Sequence, residues 1–135
     1  MNSSSVKHLV ACALIEKEGR ILLAQRKEGM KLGLKWEFPG GKLEEGESVE
    51  ECIVREIKEE LNLDIAVLYR MKENYHSYEY AGIHLFPCVC VVTGGELLLR
   101  DHAEVRWITP EEIFSYDLAE ADIPVARAYL DRNEM

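Results

Sequence analysis

Along the chain, apolar residues gather in short runs divided by glycine, proline and charge. The first run, "VKHLVACALIE" from Val6, is rich in valine, leucine and isoleucine, and after "EKEGR" comes "ILLAQR". This pattern predicts two strands joined by a turn at Gly19, a hairpin. The next stretch, "KEGMKLGLKWEFPGGKLEEGE", is dense in glycine and charge and carries Pro39. It predicts a long loop with at most short strand pieces around Trp36 and Leu43, and loops of that length usually carry function.

Ser48 and Glu51 form the S-x-x-E signature of a capping box, which predicts a helix from about Ser48 to about Leu61, closed by Asn62 in the left-handed region. Beyond it, "DIAVLYRMKENYHSYEY", "GIHLFPCVCVVTGG" and "EVRWIT" read as strands. "TPEEIF" reads as a turn of helix capped by Thr109 with Pro110 first, and "AEADIPVARAYLDRNEM" as a terminal helix interrupted near Pro124. No internal repeat, low-complexity segment or linker divides the chain. Residues 1–135 are therefore expected to form a single α/β domain, a mixed β-sheet packed between helices.

Composition narrows the partners. The chain has 135 residues, 47% of them apolar, enough for one domain with a real core. Lysine and arginine number 16 against 25 acidic residues, a net charge of -9 that repels both a nucleic-acid polymer and an anionic membrane. The N-terminus shows no charged segment followed by an apolar one, and the longest apolar runs, Leu9 to Ile15 and Leu85 to Val92, are too short to span a bilayer. A soluble cytoplasmic protein, monomer or homodimer, is the expectation. Cys12, Cys52, Cys88 and Cys90 form no Cys-x-x-Cys pair and read as reduced core thiols, Cys88 and Cys90 sharing one strand face. His8, His76, His84 and His102 are scattered without metal-ligand spacing and read as surface or strand histidines.

The predicted helix is unusual in its charge. Residues 40–63 hold eight glutamates against three basic residues. At about 100° per residue, Glu56 and Glu60 lie within roughly 40° of each other and Glu59 within roughly 60° of Glu56, so three carboxylates share one face. Ile53, Val54, Ile57 and Leu61 occupy a different arc about 110° away, leaving the apolar stripe free to be buried. Each like-charge pair one turn apart costs about 0.2 to 0.5 kcal/mol. Arg55, one turn from both Glu51 and Glu59, offsets part of this. A hard divalent cation would offset the rest, since Mg²⁺ takes one or two carboxylates and completes its shell with water and phosphate oxygens. A solvated acidic face is the alternative reading of the same three glutamates.

The surrounding residues favour the cation. Gly41, five residues, Glu47, seven residues, then Arg55-Glu56-Ile57-x-Glu59-Glu60-x-Asn62-Leu63 resembles the Nudix box. Six such coincidences have a chance probability on the order of one in ten million per start position. The family pattern has glycine where this chain has Asn62, the non-glycine residue most at ease in the left-handed region. The resemblance implies the Nudix fold, an α/β/α sandwich with a mixed sheet, and Mg²⁺- or Mn²⁺-dependent hydrolysis of a nucleoside diphosphate linked to another group. It also implies Glu56, Glu59, Glu60 and the Gly40 carbonyl as metal ligands, Arg55 as the residue that orients the catalytic glutamates, and Glu47 as its ion-pair partner. Either Glu56 or an acid of "RDHAEVRW", Asp101 or Glu104, could take the proton of the attacking water. Asp101 and Glu104 are equally readable as ordinary loop charges.

"WEFPGGK", "QRK" and "LAEADIPVARAYL" extend the likeness to the MutT-like branch, which includes CTP pyrophosphohydrolases and oxidised-guanine triphosphatases. There the resemblance places Arg26 at the phosphates, Glu37 in the substrate or metal region, and Phe38 with Asp122 at the base. Asp122 is also readable as the N-cap of the last helix and Phe38 as plain core, while Trp36 and Trp107 read as packing. The expected activity is conversion of a nucleoside triphosphate, whether CTP, a modified pyrimidine triphosphate or 8-oxo-dGTP, to the monophosphate and pyrophosphate. Hydrolysis of nucleotide sugars or dinucleotides, and a non-catalytic recognition module, stand as alternatives.

Overall fold

A computed structural model describes residues 7–79 and 81–132. Val6, Tyr80 and residues 133–135 of the expected terminal helix lie outside them. The long apolar runs become β1 (Lys7–Lys17) and β7 (Gly82–Gly95), which pair in parallel from Lys7 opposite Gly82 to Glu16 opposite Val91. The other strand-to-strand pairings among the described residues are antiparallel, so the sheet is mixed as expected: β5 (Leu63–Arg70) and β6 (Asn74–Ser77) join β7, while β2 (Arg20–Arg26) joins β1 and β8 (His102–Ile108) joins β2.

The hairpin expected at Gly19 is present, with Glu18 and Gly19 both left-handed at φ 53° and 80°, as tight hairpin turns demand. It is paired only at its tip, Glu16 with Ile21 and Lys17 with Arg20. Below the tip β1 turns to β4 (Gly40–Lys42), Val10 opposite Lys42 and Cys12 opposite Gly40, and the Ala13 N–H donates to the Pro39 carbonyl at 2.8 Å. β2 turns to β3 (Trp36–Glu37) and to β8. Residues 36–42 are thereby wedged between β1 and β2 and hold a cleft open between them. The strand piece expected around Leu43 ends one residue earlier, although the Leu43 N–H still bonds to the Leu9 carbonyl at 2.9 Å.

Side chains alternate across this sheet. Ala11, Ala13 and Ile15 of β1 face α1 (Val49–Leu61) and pack with Ile53, Ile57 and Leu61; Cys12 and Leu14 face α2 (Ile123–Asp131) and pack with Val125, Ala126 and Tyr129. Two helical layers on one sheet make the α/β/α sandwich. All four cysteines are buried and free; Cys88 and Cys90 do share one face, that of α1, and burial pushes the Cys90 thiol up to about 12. Trp36 is buried edge-on to Tyr116, centroids 5.0 Å apart, and Trp107 packs on the α1 side, both as expected of packing residues.

α1 starts and stops where its caps predict. Ser48 and Glu51 bond each other's backbone N–H at 3.0 and 2.9 Å, and Asn62 sits at φ 60°, ψ 25° with its Nδ2 donating to the Glu96 carbonyl. Val54 departs from expectation: it is 40% exposed, and Cys52 is buried in its stead, because the sheet meets the helix along Cys52, Ile53 and Ile57 and Val54 lies at the rim of that arc. Pro124 does not interrupt the last helix but stands in its first turn, where a missing N–H costs nothing; a 3-10 turn, Glu120–Asp122, precedes it. The segment before Trp107 is strand rather than loop from His102 onward, Glu104 pairing with Gln25. No helix among the described residues is long and apolar enough to cross a membrane.

Candidate active site

The wedge brings bare backbone against α1. A Cβ on Gly40 would lie 1.9 Å from the Ala11 carbonyl oxygen, and one on Gly41 would lie 2.2 Å from the Glu56 carboxyl carbon. Only glycine fits at residue 40, where the clash is with backbone, and the Glu56 carboxylate rests directly on the Gly41 backbone.

Arg55 organises the glutamates. Its Nε and Nη2 grip Glu47 at 2.6 and 2.9 Å, while Nη1 donates to Glu56 Oε2 at 3.0 Å and Glu59 Oε1 at 3.2 Å; Nη2 also reaches the Lys42 carbonyl at 3.3 Å. The bidentate pair holds the Glu47 carboxyl down at about 2, aided by the Glu44 N–H, and makes Arg55 more basic than usual. One guanidinium thus offsets far more of the helix's repulsion than its spacing to Glu51 and Glu59 suggests. It does so by reaching back to the loop, a contact that helix geometry alone does not reveal.

These bonds of Arg55 do not include Glu60. Its Oε1 is buried without a hydrogen-bond partner, and its carboxyl is pushed up to about 9, first by burial and then by the neighbouring charge of Glu56. Glu60 forms part of the wall of a cavity of about 440 Å³, the size of a small-molecule site. Asp101 stands on the same wall, and its charge and that of Glu37 add to the upward push on Glu60. An oxygen-only donor set of this charge suits a hard cation. Among the described residues no three carboxylate, imidazole or thiol groups already converge on one point, since Arg55 holds an oxygen each of Glu56 and Glu59.

Further along the cavity Glu37 bridges two partners, accepting from Arg26 Nη1 at 3.2 Å and facing His102 Nε2 at 2.9 Å. Asp122 lines the same cavity. It occupies the N-cap position of α2 but caps nothing; its Oδ2 accepts from the Phe38 N–H at 3.2 Å. Burial first, and the charge of Glu37 second, raise its carboxyl well above the usual range and favour its protonated form. Phe38 is 3% exposed and belongs to the α2-side core while also lining the cavity, so both readings of it hold. The Tyr78 hydroxyl accepts from the Ala121 N–H at 2.8 Å and steadies the turn that carries Asp122.

The residues singled out in sequence therefore fall into three groups. Arg26, Glu37, Phe38, Gly40, Glu60, Asp101 and Asp122 line the cavity, and Gly41 joins them. Arg55, Glu47 and Glu56 stand behind that wall, and the Glu59 side chain is 59% exposed at its outer edge. Glu104 stands apart: its strand register directs it to Arg106, whose Nε donates to it at 2.6 Å, and it contributes nothing to the wall. His102 and Tyr78, read in sequence as a strand histidine and an unremarked strand residue, both line the cavity. The only hint for His102 was its place beside Asp101 in "RDHAEVRW".

The NUDIX domain family model matches residues 7–129. The chain belongs to the Nudix family. A CTP pyrophosphohydrolase of Escherichia coli (strain K12) is 39% identical over 123 residues, 90% of each chain, and an 8-oxo-dGTP diphosphatase of Proteus vulgaris is 40% identical over 58 residues, 43% of this chain and 52% of that one. The crystal structure of the MutT protein from Methanosarcina mazei Go1 superposes with a TM-score of 0.88 over 99% of this chain and 100% of that one, at 22% identity, and shares the fold. Within the Nudix box, Asn62 adopts the left-handed conformation that the family's usual glycine provides.

Proposed function

We propose that this Nudix protein is a Mg²⁺- or Mn²⁺-dependent pyrophosphohydrolase that adds water across the anhydride of a nucleoside triphosphate, giving the monophosphate and pyrophosphate. The observation that carries the reading is the Glu60 carboxyl beside Glu56, its Oε1 buried without a hydrogen-bond partner, on the wall of the same cavity that Asp122 lines. Two relatives that cleave nucleoside triphosphates by name, and a match over nearly the whole chain, support it.

Glu56, Glu60 and the Gly40 carbonyl would hold the cation, with Glu59 at the outer edge. The bound ion supplies charge neutralisation at the phosphate oxygens and a more acidic water. Arg55, anchored by Glu47, keeps the Glu56 carboxylate oriented. Asp101, on the wall where Glu104 is not, is the better placed of the two loop acids to accept the water's proton. Arg26 offers its guanidinium to the phosphates. The Asp122 carboxyl accepts in either form and also donates in the protonated form that burial favours, which suits the amine and ring-nitrogen edge of cytosine and the carbonyl-bearing edge of an oxidised guanine.

Turnover of CTP, modified pyrimidine triphosphates and 8-oxo-dGTP with Mg²⁺, with pyrophosphate measured as product, tests the reading. Release of orthophosphate, preference for nucleotide sugars or dinucleotides, or no turnover of any of them would overturn it. Asp122→Ala is expected to change the ranking among bases by roughly tenfold, the worth of one lost hydrogen-bonded contact, whereas Asp122→Asn, which also donates and accepts, should change it less. An unaltered ranking in the alanine variant would remove Asp122 from base recognition.

A further inference from the structure

His102 has no place in the reaction as described, yet it is among the most enclosed polar side chains of the cavity, with 5% of its side chain exposed. Its Nδ1 is buried and has no hydrogen-bond partner among the described residues. Its Nε2 lies 2.9 Å from Glu37 Oε2; because a carboxylate only accepts, Nε2 carries the proton. The other oxygen of Glu37 accepts from Arg26 Nη1 at 3.2 Å, and Arg26 Nε donates to the Lys31 carbonyl at 2.7 Å. The register of β2 against β8 shifts between Gln25 and Arg26, which sets His102 opposite Arg26. Such bulges re-aim side chains beside sites.

We propose that His102 is a positioning residue for triphosphate binding: it holds one oxygen of Glu37 so that Glu37 can fix Arg26 with the other, leaving the guanidinium posed for phosphate. This rests on the nucleotide-hydrolase reading. A carboxylate released by His102 is free to turn both oxygens onto Arg26 in a fork, the geometry guanidinium favours most, and would then compete with the substrate for it. Dividing Glu37 between two donors prevents that. The same arrangement steadies the Lys31 carbonyl and with it the cavity wall formed by Met30 and Leu32.

The test is equilibrium binding of the α,β-methylene analogues of CTP and dGTP to the full chain with Mg²⁺, beside steady-state kinetics. His102→Phe keeps the volume and removes the donor; it should weaken binding of the better analogue about tenfold and raise KM with kcat within a few-fold. His102→Gln, whose amide N–H reaches about as far as Nε2, should restore most of the affinity, and His102→Asn, which falls short, should not. In an Arg26→Ala background, His102→Phe should cost less than about twofold, because the two act through one contact. Wild-type affinity in His102→Phe, losses that multiply in the double variant, or equal behaviour of Gln and Asn would overturn the proposal. Should His102→Phe fail to fold, the comparison of Gln with Asn decides alone. A wild-type protein that neither binds an analogue nor cleaves a triphosphate would instead refute the nucleotide reading, and this inference with it.

Discussion

Glu60→Gln should yield a protein that is nearly inactive, with kcat reduced by about a thousandfold or more, and yet more stable than the wild type in chelator. The loss follows from removing a cavity carboxyl whose buried Oε1 has no hydrogen-bond partner among the described residues. The gain follows from linkage. The folded-state carboxyl is pushed up to about 9 against an ordinary 4.5, by burial first and Glu56 second. Below pH 4.5 it is protonated in both states and costs nothing. Between pH 4.5 and about 9 the unfolded chain ionises while the folded one does not, so wild-type stability falls as pH rises and levels off above that window. At pH 7 the glutamine variant escapes a cost on the order of 3 kcal/mol, and the difference should shrink towards pH 5. Urea titrations in chelator at the two pH values measure it; Mg²⁺ should raise the melting temperature of the wild type and not of the variant. Equal stability together with near-normal turnover would remove Glu60 from the proposed cation site. Glu59→Gln should also lower turnover strongly but bring no such gain, since Glu59 is largely exposed.

Gly40→Ala and Gly41→Ala should part company although the residues are neighbours. At Gly40 the new methyl would meet backbone, 1.9 Å from the Ala11 oxygen and 2.7 Å from the Cys12 Cα, and neither can move without parting β4 from β1. Destabilisation on the order of 3 kcal/mol or more is expected, seen as a lower urea midpoint and poor recovery of folded protein. At Gly41 all three near atoms belong to the flexible end of Glu56, which can swing aside. That variant should fold with a melting temperature close to wild type and lose activity by roughly a hundredfold, because Glu56 no longer rests where Arg55 holds it. The reverse pattern, with Gly40→Ala mild and Gly41→Ala unfolded, would contradict the packing described for the wedge.

Legibility differed by element. The capping box at Ser48, the left-handed Asn62, the Gly19 turn and the alternation along β1 depend on neighbours a few residues away, and each appears where local pattern places it. The start of α2 depends on the same kind of local signal, but Pro124 admits two meanings, a first-turn residue or a break. The 3-10 turn of residues 120–122, which ends just before Ile123, selects the first-turn meaning. Val54 and Cys52 exchanged roles because helical periodicity defines an arc and not its centre; the surface of the sheet supplies the centre. Asp122 and Glu104 show the limit most clearly. Whether a carboxylate caps, pairs or lines a cavity depends on what lies across from it, Phe38 for one and Arg106 for the other.

By itself, then, the sequence determined the family, the helix that carries the glutamates, the spacing of Arg55 within it and the alternation that gives the sheet two buried faces. These follow from chemistry repeated at fixed intervals along one chain. Only the tertiary structure decided which oxygens stay unsatisfied, that Glu47 grips Arg55 from the loop, that His102 shares Glu37 with Arg26, and that Glu104 stands outside. The physical reason is that hydrogen-bond satisfaction and desolvation are set by atoms brought together from distant positions: residues 37 and 102 come from β3 and β8, strands on opposite edges of β2, and no local periodicity encodes their meeting.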